Sequence, residues 1–402
     1  MPVPPPLPAA GPPLQHEGCP DTKKHLIVIG GPTASGKTAL AIRLAKHFGT
    51  EILSADSRQF YREMGIGTAK PTEQELAEAP HHFINSLSIH EPYNVGDYER
   101  EAMACLERLF EKRDVAILSG GSGLFVKALC EGLDEFPEVP LRLREEVEAL
   151  FLEKGLAALQ EALLACDPEY YETVDLQNPH RLIRAVSVCR AAGRPYSSFR
   201  SGRKAQRFFR PIFIELSWDR RVLYERIHER VAQMVQGGLL EEARALFPYR
   251  HLSALQTVGY QELFRYFEGA SDWETALEDI RRNSRRYAKR QLTWTRRDGY
   301  WKHFHPDEWP LLLDYLSLAM AQGLRLEEEA DESAPEWKRL GLWSAERALG
   351  FASYHLGRKG CSVFPGSGFE ASTAFWLTHE LGHRAEGLEL LFSSHNHKID
   401  GA

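Results

Sequence analysis

Apolar positions run through the first part of the chain in two rhythms. Leu26-Ile-Val-Ile29 is an unbroken apolar run of strand length, and Leu40, Ala41, Leu44, Ala45 and Phe48 then recur at helical spacing. A second short apolar strand, Glu51-Ile-Leu-Ser-Ala55, ends at Asp56. Gly65 to Ile84 reads as loop, helix and connecting turn, and the adjacent His81 and His82 read as structural because neighbouring side chains point apart. Tyr98 to Arg113 is helical, with Ala102, Cys105, Leu106 and Leu109 on one face, and leads into the buried strand Val115–Ser119, a glycine turn at 120–123 and a further helix from Leu124. Strand, helix, strand, glycine turn, helix is the order of a doubly wound α/β fold. From about Leu133 to Arg203 the pattern is of charged helices only. Phe208–Ser217 returns to the sheet, and Trp218-Asp-Arg opens a helix that breaks at Gly237-Gly238.

The first strand runs into Gly31-Pro32-Thr33-Ala34-Ser35-Gly36-Lys37-Thr38, which fits the phosphate-cradling pattern G-x-x-x-x-G-K-[ST]. Glycines let the backbone N–H groups turn inward, and the next helix offers its positive dipole end to the same point. Lys37 neutralises the anion and Thr38 offers a hydroxyl to a Mg²⁺ that the phosphates share. The loop alone leaves open whether those phosphates belong to a nucleoside triphosphate or to another diphosphate. Asp56 sits beyond the carboxyl end of a strand, where open parallel sheets form their ligand crevice. From that place it can bind metal, take a proton or cap the next helix.

Composition narrows the class. The chain has 402 residues, 43% hydrophobic and 26% charged, which allows two or three soluble domains, and its net charge of −7 argues against general coating of nucleic acid. Six scattered cysteines with no C-x-x-C pair suggest a reducing cytoplasm, and neither a signal peptide nor a long apolar span is expected. Against that acidic background, Arg281–Arg297 gathers eight cations and two aromatic rings without one acid, a composition suited to a polyanion with unstacked bases; Arg285 and Arg286 are its candidate contacts. The expected divisions are a Pro-rich disordered leader at 1–22, an α/β core at 23–131 and 205–310, a helical insertion at 132–204, and an extension at 311–402, partly disordered and of open role.

Taken in order, GPTASGKT, ADSRQFY, GIGTAKP, GGSGLF, NPHRLIRA, LQTVGYQEL and RRYAKRQLTW resemble the bacterial tRNA dimethylallyltransferase family over roughly Lys24 to Asp307. The resemblance implies a P-loop NTPase-like parallel sheet with flanking helices. It implies transfer of a dimethylallyl group from its diphosphate to the N6 amine of the adenosine 3′ to the anticodon, by a Mg²⁺-dependent cytoplasmic monomer. The phosphate loop then grips a leaving diphosphate instead of ATP. Asp56 resembles the general base, with Lys37 and Ser122 completing the catalytic set. Asp56, Ser57, Arg58, Gln59, Ser122 and the segment His180, Arg181, Leu182, Ile183, Arg184 resemble tRNA-contacting stretches. Three positions depart: Ser122 where the family has Thr, Phe125 where it has Tyr, and His180 where Gln is common.

Three other readings have sequence features behind them. An ATP-dependent small-molecule kinase follows from the loop alone but has no use for the arginine-rich helix. A prenyltransferase acting on free adenosine phosphate shares the chemistry without needing that helix. In the tail, His379-Glu380-Leu-Gly-His383 matches the zinc-peptidase pattern H-E-x-x-H, with His395 and His397 as conceivable third ligands, although Gly382 weakens the helix that such a site needs.

Overall fold

The computed structural model describes residues 23–298 and 301–322, and the backbone of four strands between 324 and 365. Described residues up to Cys130 and from Gln206 onward make one compact unit, and Glu131–Ala205 make a second.

In the first unit the chain runs β1 (His25–Gly30), α1 (Lys37–Phe48), β2 (Ile52–Ser54), α2 (Glu73–Glu78), β3 (His81–His82), α3 (Val95–Phe110), β4 (Val115–Ser119) and α4 (Gly123–Glu131). The second unit contributes α5 (Leu141–Cys166), α6 (Pro168–Thr173) and α7 (Pro179–Ala192). The first unit then resumes with β5 (Arg210–Leu216), α8 (Arg220–Gln236), α9 (Leu239–Leu246), α10 (Tyr260–Phe267), α11 (Trp273–Asp298), β6 (Lys302–Phe304) and α12 (Trp309–Gln322). Strands β7 (Leu324–Ala330), β8 (Trp337–Ser344), β9 (Arg347–His355) and β10 (Cys361–Pro365) follow.

Strands β1 to β6 form a wholly parallel sheet in the order β3-β2-β4-β1-β5-β6. Every residue of β1 is buried, as expected for a strand covered on both faces. Ile27 and Ile29 pack with α1 and α12, while Leu26 and Val28 pack with α3 and α4 on the other side. Burying each such side chain stabilises the fold by about 1.5–3 kcal/mol. The consequence for function is geometric: β1, β2, β4 and β5 end side by side, and the turns that follow them share one edge.

Three stretches differ from the sequence reading. His81-His82 is a two-residue strand paired with Ile52 and Leu53 instead of a connecting turn. Lys302–Phe304 adds a sixth strand beside Ile214–Leu216. In the tail, expected as a partly disordered extension, β7 to β10 make an antiparallel sheet in the order β10-β9-β8-β7. The Pro-rich leader and His379, Glu380 and His383 lie outside the described residues.

His82 is structural, and its environment gives it a measurable signature. Its contact with the buried Cys105 sulfur, and then its Nε2 donation to Glu51 Oε2 at 2.6 Å, raise its pKa to about 9 against the opposing effect of burial. A histidine whose folded pKa is raised stabilises most below its unfolded value near 6.5, and that contribution is lost as pH rises through about 9. The His82–Glu51 pair is about one-third exposed, so the effect is discounted for solvent to roughly 1 kcal/mol. His82→Gln is therefore expected to lower Tm at pH 6 and to converge on the parent by pH 10, as thermal unfolding across that range checks.

The second unit has its own core of Val147, Leu159, Leu163, Leu182, Ala185 and Val186. Its organiser is the buried Asp167, whose carboxylate accepts the Tyr170 N–H at 2.9 Å, the Ser197 N–H at 2.6 Å and the Ser197 hydroxyl at 3.0 Å. Pro179 begins α7, and the Asn178 side chain caps it by accepting the Arg181 N–H at 3.2 Å. Leu182, expected at an RNA surface, is wholly buried, and Ile183 packs on the same core. The helical period turns these two inward and leaves His180, Arg181 and Arg184 exposed.

Candidate active site

The turn after β1 has the backbone of an anion cradle. Gly31, Ala34 and Gly36 have positive φ values of 133°, 64° and 94°, which glycine accepts freely and alanine does not. Its outward carbonyls are tied down: Trp218 Nε1 donates to Ser35 O at 2.9 Å and Arg226 Nε to Ala34 O at 2.9 Å, with the Arg226 guanidinium over the Trp218 ring. Lys37 Nζ folds back over the loop and donates to Gly31 O at 3.0 Å and Pro32 O at 2.7 Å. Burial, reinforced by the Arg230 charge, lowers its pKa to about 8, while Asp56 and Glu215 pull the other way.

Asp56 follows β2 in a turn that its own carboxylate shapes, since Oδ1 accepts the Arg58 N–H at 3.0 Å. The helix cap anticipated for this residue is not formed, because a turn follows it and the next helix is capped by Thr72; the turn bond coexists with electrostatic interaction with Lys37, Arg230 and Tyr287. The end of β4 braces the turn. A Cβ at Gly120 would collide with the Ala55 backbone, so only glycine allows this approach. Ser122 donates its N–H to Ala55 O at 3.1 Å, and its hydroxyl oxygen accepts the Ser57 N–H at 3.0 Å. The hydroxyls of Ser57 and Ser122 also bond each other at 3.2 Å. Both serines, expected to touch tRNA, are thus engaged in holding Asp56 in place.

A cavity opens from this edge of the sheet, lined by Thr33 of the loop, by Asp56 and Arg58, by Gly67 and Thr68, by Arg230 of α8 and by Tyr287 of α11, among others. The sequence reading passed over Arg230. Arg230 is half-buried in the cavity wall, and the Asp56 charge favours its charged state against the cost of that burial. The Gly65–Gly67 backbone is clamped by a residue that was also missed: the Glu242 carboxylate accepts the N–H groups of Gly65, Ile66 and Gly67, each at 2.8 Å, and the Tyr260 hydroxyl at 2.6 Å. Two other expected tRNA contacts also brace this wall. Gln59 Nε2 donates to Thr68 O at 3.3 Å, and Arg58 Nη1 to Ser253 O at 3.0 Å and Ala254 O at 3.1 Å.

The basic helix is less uniformly cationic than its sequence. Glu278 and Asp279, just before the cationic stretch, pair with Arg281, Arg282 and Arg285, and Arg285 also meets His228. Arg286, Lys289 and Arg290 are exposed. The interleaved rings turn inward: Tyr287 lines the cavity and Trp294 packs on Trp301 at 5.5 Å between ring centroids.

Among the described residues no three acidic, histidine or cysteine side chains converge on a metal position. Thr38 lies in the first turn of α1, next to Lys37.

A model of the IPP transferase family matches residues 59–298, more than half of the chain. The chain belongs to the IPP transferase family. Its relatives include the tRNA dimethylallyltransferase of Christiangramia forsetii, 53% identical over 284 residues that cover 71% of this chain and 94% of the relative. The tRNA dimethylallyltransferase 1 of Bacteroides thetaiotaomicron is 45% identical, over 73% of this chain and 95% of its own. Among solved structures, the full-length tRNA isopentenylpyrophosphate transferase of Bacillus halodurans aligns with TM-score 0.55 and 33% identity, over 75% of this chain and 97% of that one. A eukaryotic dimethylallyltransferase acting on tRNA shares the fold at TM-score 0.62 and 22% identity, over 74% of this chain and 78% of that one. For an IPP transferase, a phosphate loop and a carboxylate that line one cavity are chemically apt, because prenyl transfer to an amine needs an anion site for the departing diphosphate and a group to take the amine's proton.

Proposed function

We propose that the protein transfers the dimethylallyl group of dimethylallyl diphosphate to the exocyclic N6 amine of the adenosine 3′ to the anticodon in tRNA, and releases diphosphate. The observation that carries this reading is that Thr33 of the phosphate loop, Asp56 and Arg230 line one cavity. In the reaction the allylic carbon–oxygen bond breaks and a carbon–nitrogen bond forms. The bonding electrons leave with the diphosphate, where negative charge grows. Loop N–H groups, protonated Lys37 and Arg230 stabilise that charge. The amine's proton passes to the Asp56 carboxylate. Thr38 would help hold a Mg²⁺, which when bound would supply further charge neutralisation on the diphosphate.

An adenine inside a stacked anticodon loop cannot reach such a cavity, so the base must leave its stack. Exposed Arg286, Lys289 and Arg290 on α11 suit the phosphates of an anticodon stem-loop; in the second unit, taken by itself, His180, Arg181 and Arg184 form a further exposed polar face on α7 that suits RNA. Among the described residues no helix is long and apolar enough to cross a membrane, and we place the enzyme with its tRNA in the cytoplasm. The test is incubation with labelled dimethylallyl diphosphate, Mg²⁺ and undermodified tRNA, with ATP and AMP in parallel. Label in tRNA alone supports the reading, and label confined to the free nucleotide overturns the choice of acceptor.

A further inference from the structure

Gln291 is almost wholly buried on α11, inside the stretch that its sequence marks as basic. Its amide makes two bonds of opposite sense: Oε1 accepts the Thr33 N–H at 2.8 Å, and Nε2 donates to Gly121 O at 3.1 Å. A Cβ at Gly121 would collide with Nε2, so the turn after β4 lies directly against the amide. One turn along the same helix, the Thr295 hydroxyl donates to the buried Glu215 of β5 at 2.9 Å, which anchors α11 to the sheet beside the loop. The turn that Gln291 holds at Gly121 continues into Ser122, and Ser122 holds Ala55 and Ser57 on either side of Asp56. An unbroken set of bonds therefore runs from the phosphate loop through Gln291 to the carboxylate.

We infer that Gln291 is a positioning residue, setting the gap between the loop that grips the leaving diphosphate and the base that deprotonates the acceptor. The inference rests on the diphosphate reading above. An amide suits this place because it presents an acceptor to Thr33 and a donor to Gly121 at once, which neither a carboxylate nor an apolar chain of the same length does. A shift of about 1 Å between reacting groups costs on the order of 100-fold in rate, so small relaxations here are visible in turnover.

The test compares the full-length parent with Gln291→Glu and Gln291→Met, each checked for folding by circular dichroism and Tm. Inorganic pyrophosphate binding is measured by calorimetry, with kcat and KM for dimethylallyl diphosphate and Kd for tRNA. Both variants are expected to lose on the order of 10-fold in pyrophosphate affinity and on the order of 10- to 100-fold in kcat, with tRNA Kd unchanged. In Gln291→Glu the ionised carboxylate sets an acceptor against Gly121 O, while the protonated acid again offers a donor. Its activity relative to the parent is therefore expected to recover as pH falls from 8 to 5.5, and that of Gln291→Met to stay flat. A residue that merely supports the fold would lower Tm and active fraction without moving KM or giving this pH-dependent recovery. If the parent binds pyrophosphate and both variants match it in affinity and kcat, the inference is overturned alone. A parent that itself fails to bind pyrophosphate overturns the diphosphate reading and this inference together.

Discussion

Asp56→Asn is expected to lower kcat with tRNA by about 10²–10⁴-fold, the usual contribution of a positioned general base. The substitution is chosen for what it preserves. The amide oxygen still accepts the Arg58 N–H, so the turn that Oδ1 now shapes is kept, and so are its braces from Ser122. What is lost is a group that can take the amine's proton, and with it the negative charge that helps keep Lys37 protonated. Because the proposed contacts to tRNA phosphates are exposed arginines elsewhere, tRNA Kd is expected to change by no more than about threefold, which separates chemistry from binding. Single-turnover kinetics with prebound tRNA is the appropriate check. Turnover equal to the parent's would remove Asp56 as the base.

Arg230→Met should be nearly as damaging, through the leaving group. The half-buried guanidinium is a positive charge lining the cavity, and its loss is expected to reduce kcat/KM for dimethylallyl diphosphate on the order of 10²–10³-fold, as for other groups that meet charge developing in a transition state. A second consequence identifies the cause. Lys37 is protonated below its pKa of about 8, so in the parent the affinity for pyrophosphate is expected to fall as pH rises through that value. Arg230, after burial, is the next largest influence holding that pKa down. Its removal therefore moves the fall-off to higher pH, although burial remains and the shift is partial. Pyrophosphate titrations between pH 6.5 and 9.5 check both effects. A fall-off left in place would show that Arg230 does not act on the lysine.

The contrast between what was legible in the sequence and what was not follows from the range of the interactions. The phosphate loop is a local structure: two glycines, a lysine and a flanking strand and helix determine it within some twenty residues, and β1 and α1 form where the apolar pattern puts them. Asp56 was legible because a strand end is a local feature and open parallel sheets place their ligands there. Arg230 was not, because α8 carries many charged residues and only packing decides which turns inward. A signal did exist: Arg230 follows Ile227 by three and Leu223 by seven, along the apolar stripe that includes Val231. Gln291 lies likewise between the buried Ala288 and Thr295 at helical spacing, hidden by the cations around it. Leu182 was misread for the converse reason, since a motif drawn as a run of residues takes in both faces of α7. The strand at Lys302–Phe304 is too short to show a period.

The account turns on one claim, that the loop holds a departing diphosphate while a carboxylate in the same cavity frees a nucleobase amine. Its most direct test is a stoichiometry. Purified protein is given an unmodified anticodon stem-loop RNA, dimethylallyl diphosphate and Mg²⁺ with no nucleotide added; released inorganic diphosphate is counted, and the digested RNA is analysed by mass spectrometry. One diphosphate for each N6-(dimethylallyl)adenosine, found only at the position 3′ to the anticodon, is the predicted result. Diphosphate released without that nucleoside, or a reaction that proceeds only when ATP is supplied and consumed, would contradict it.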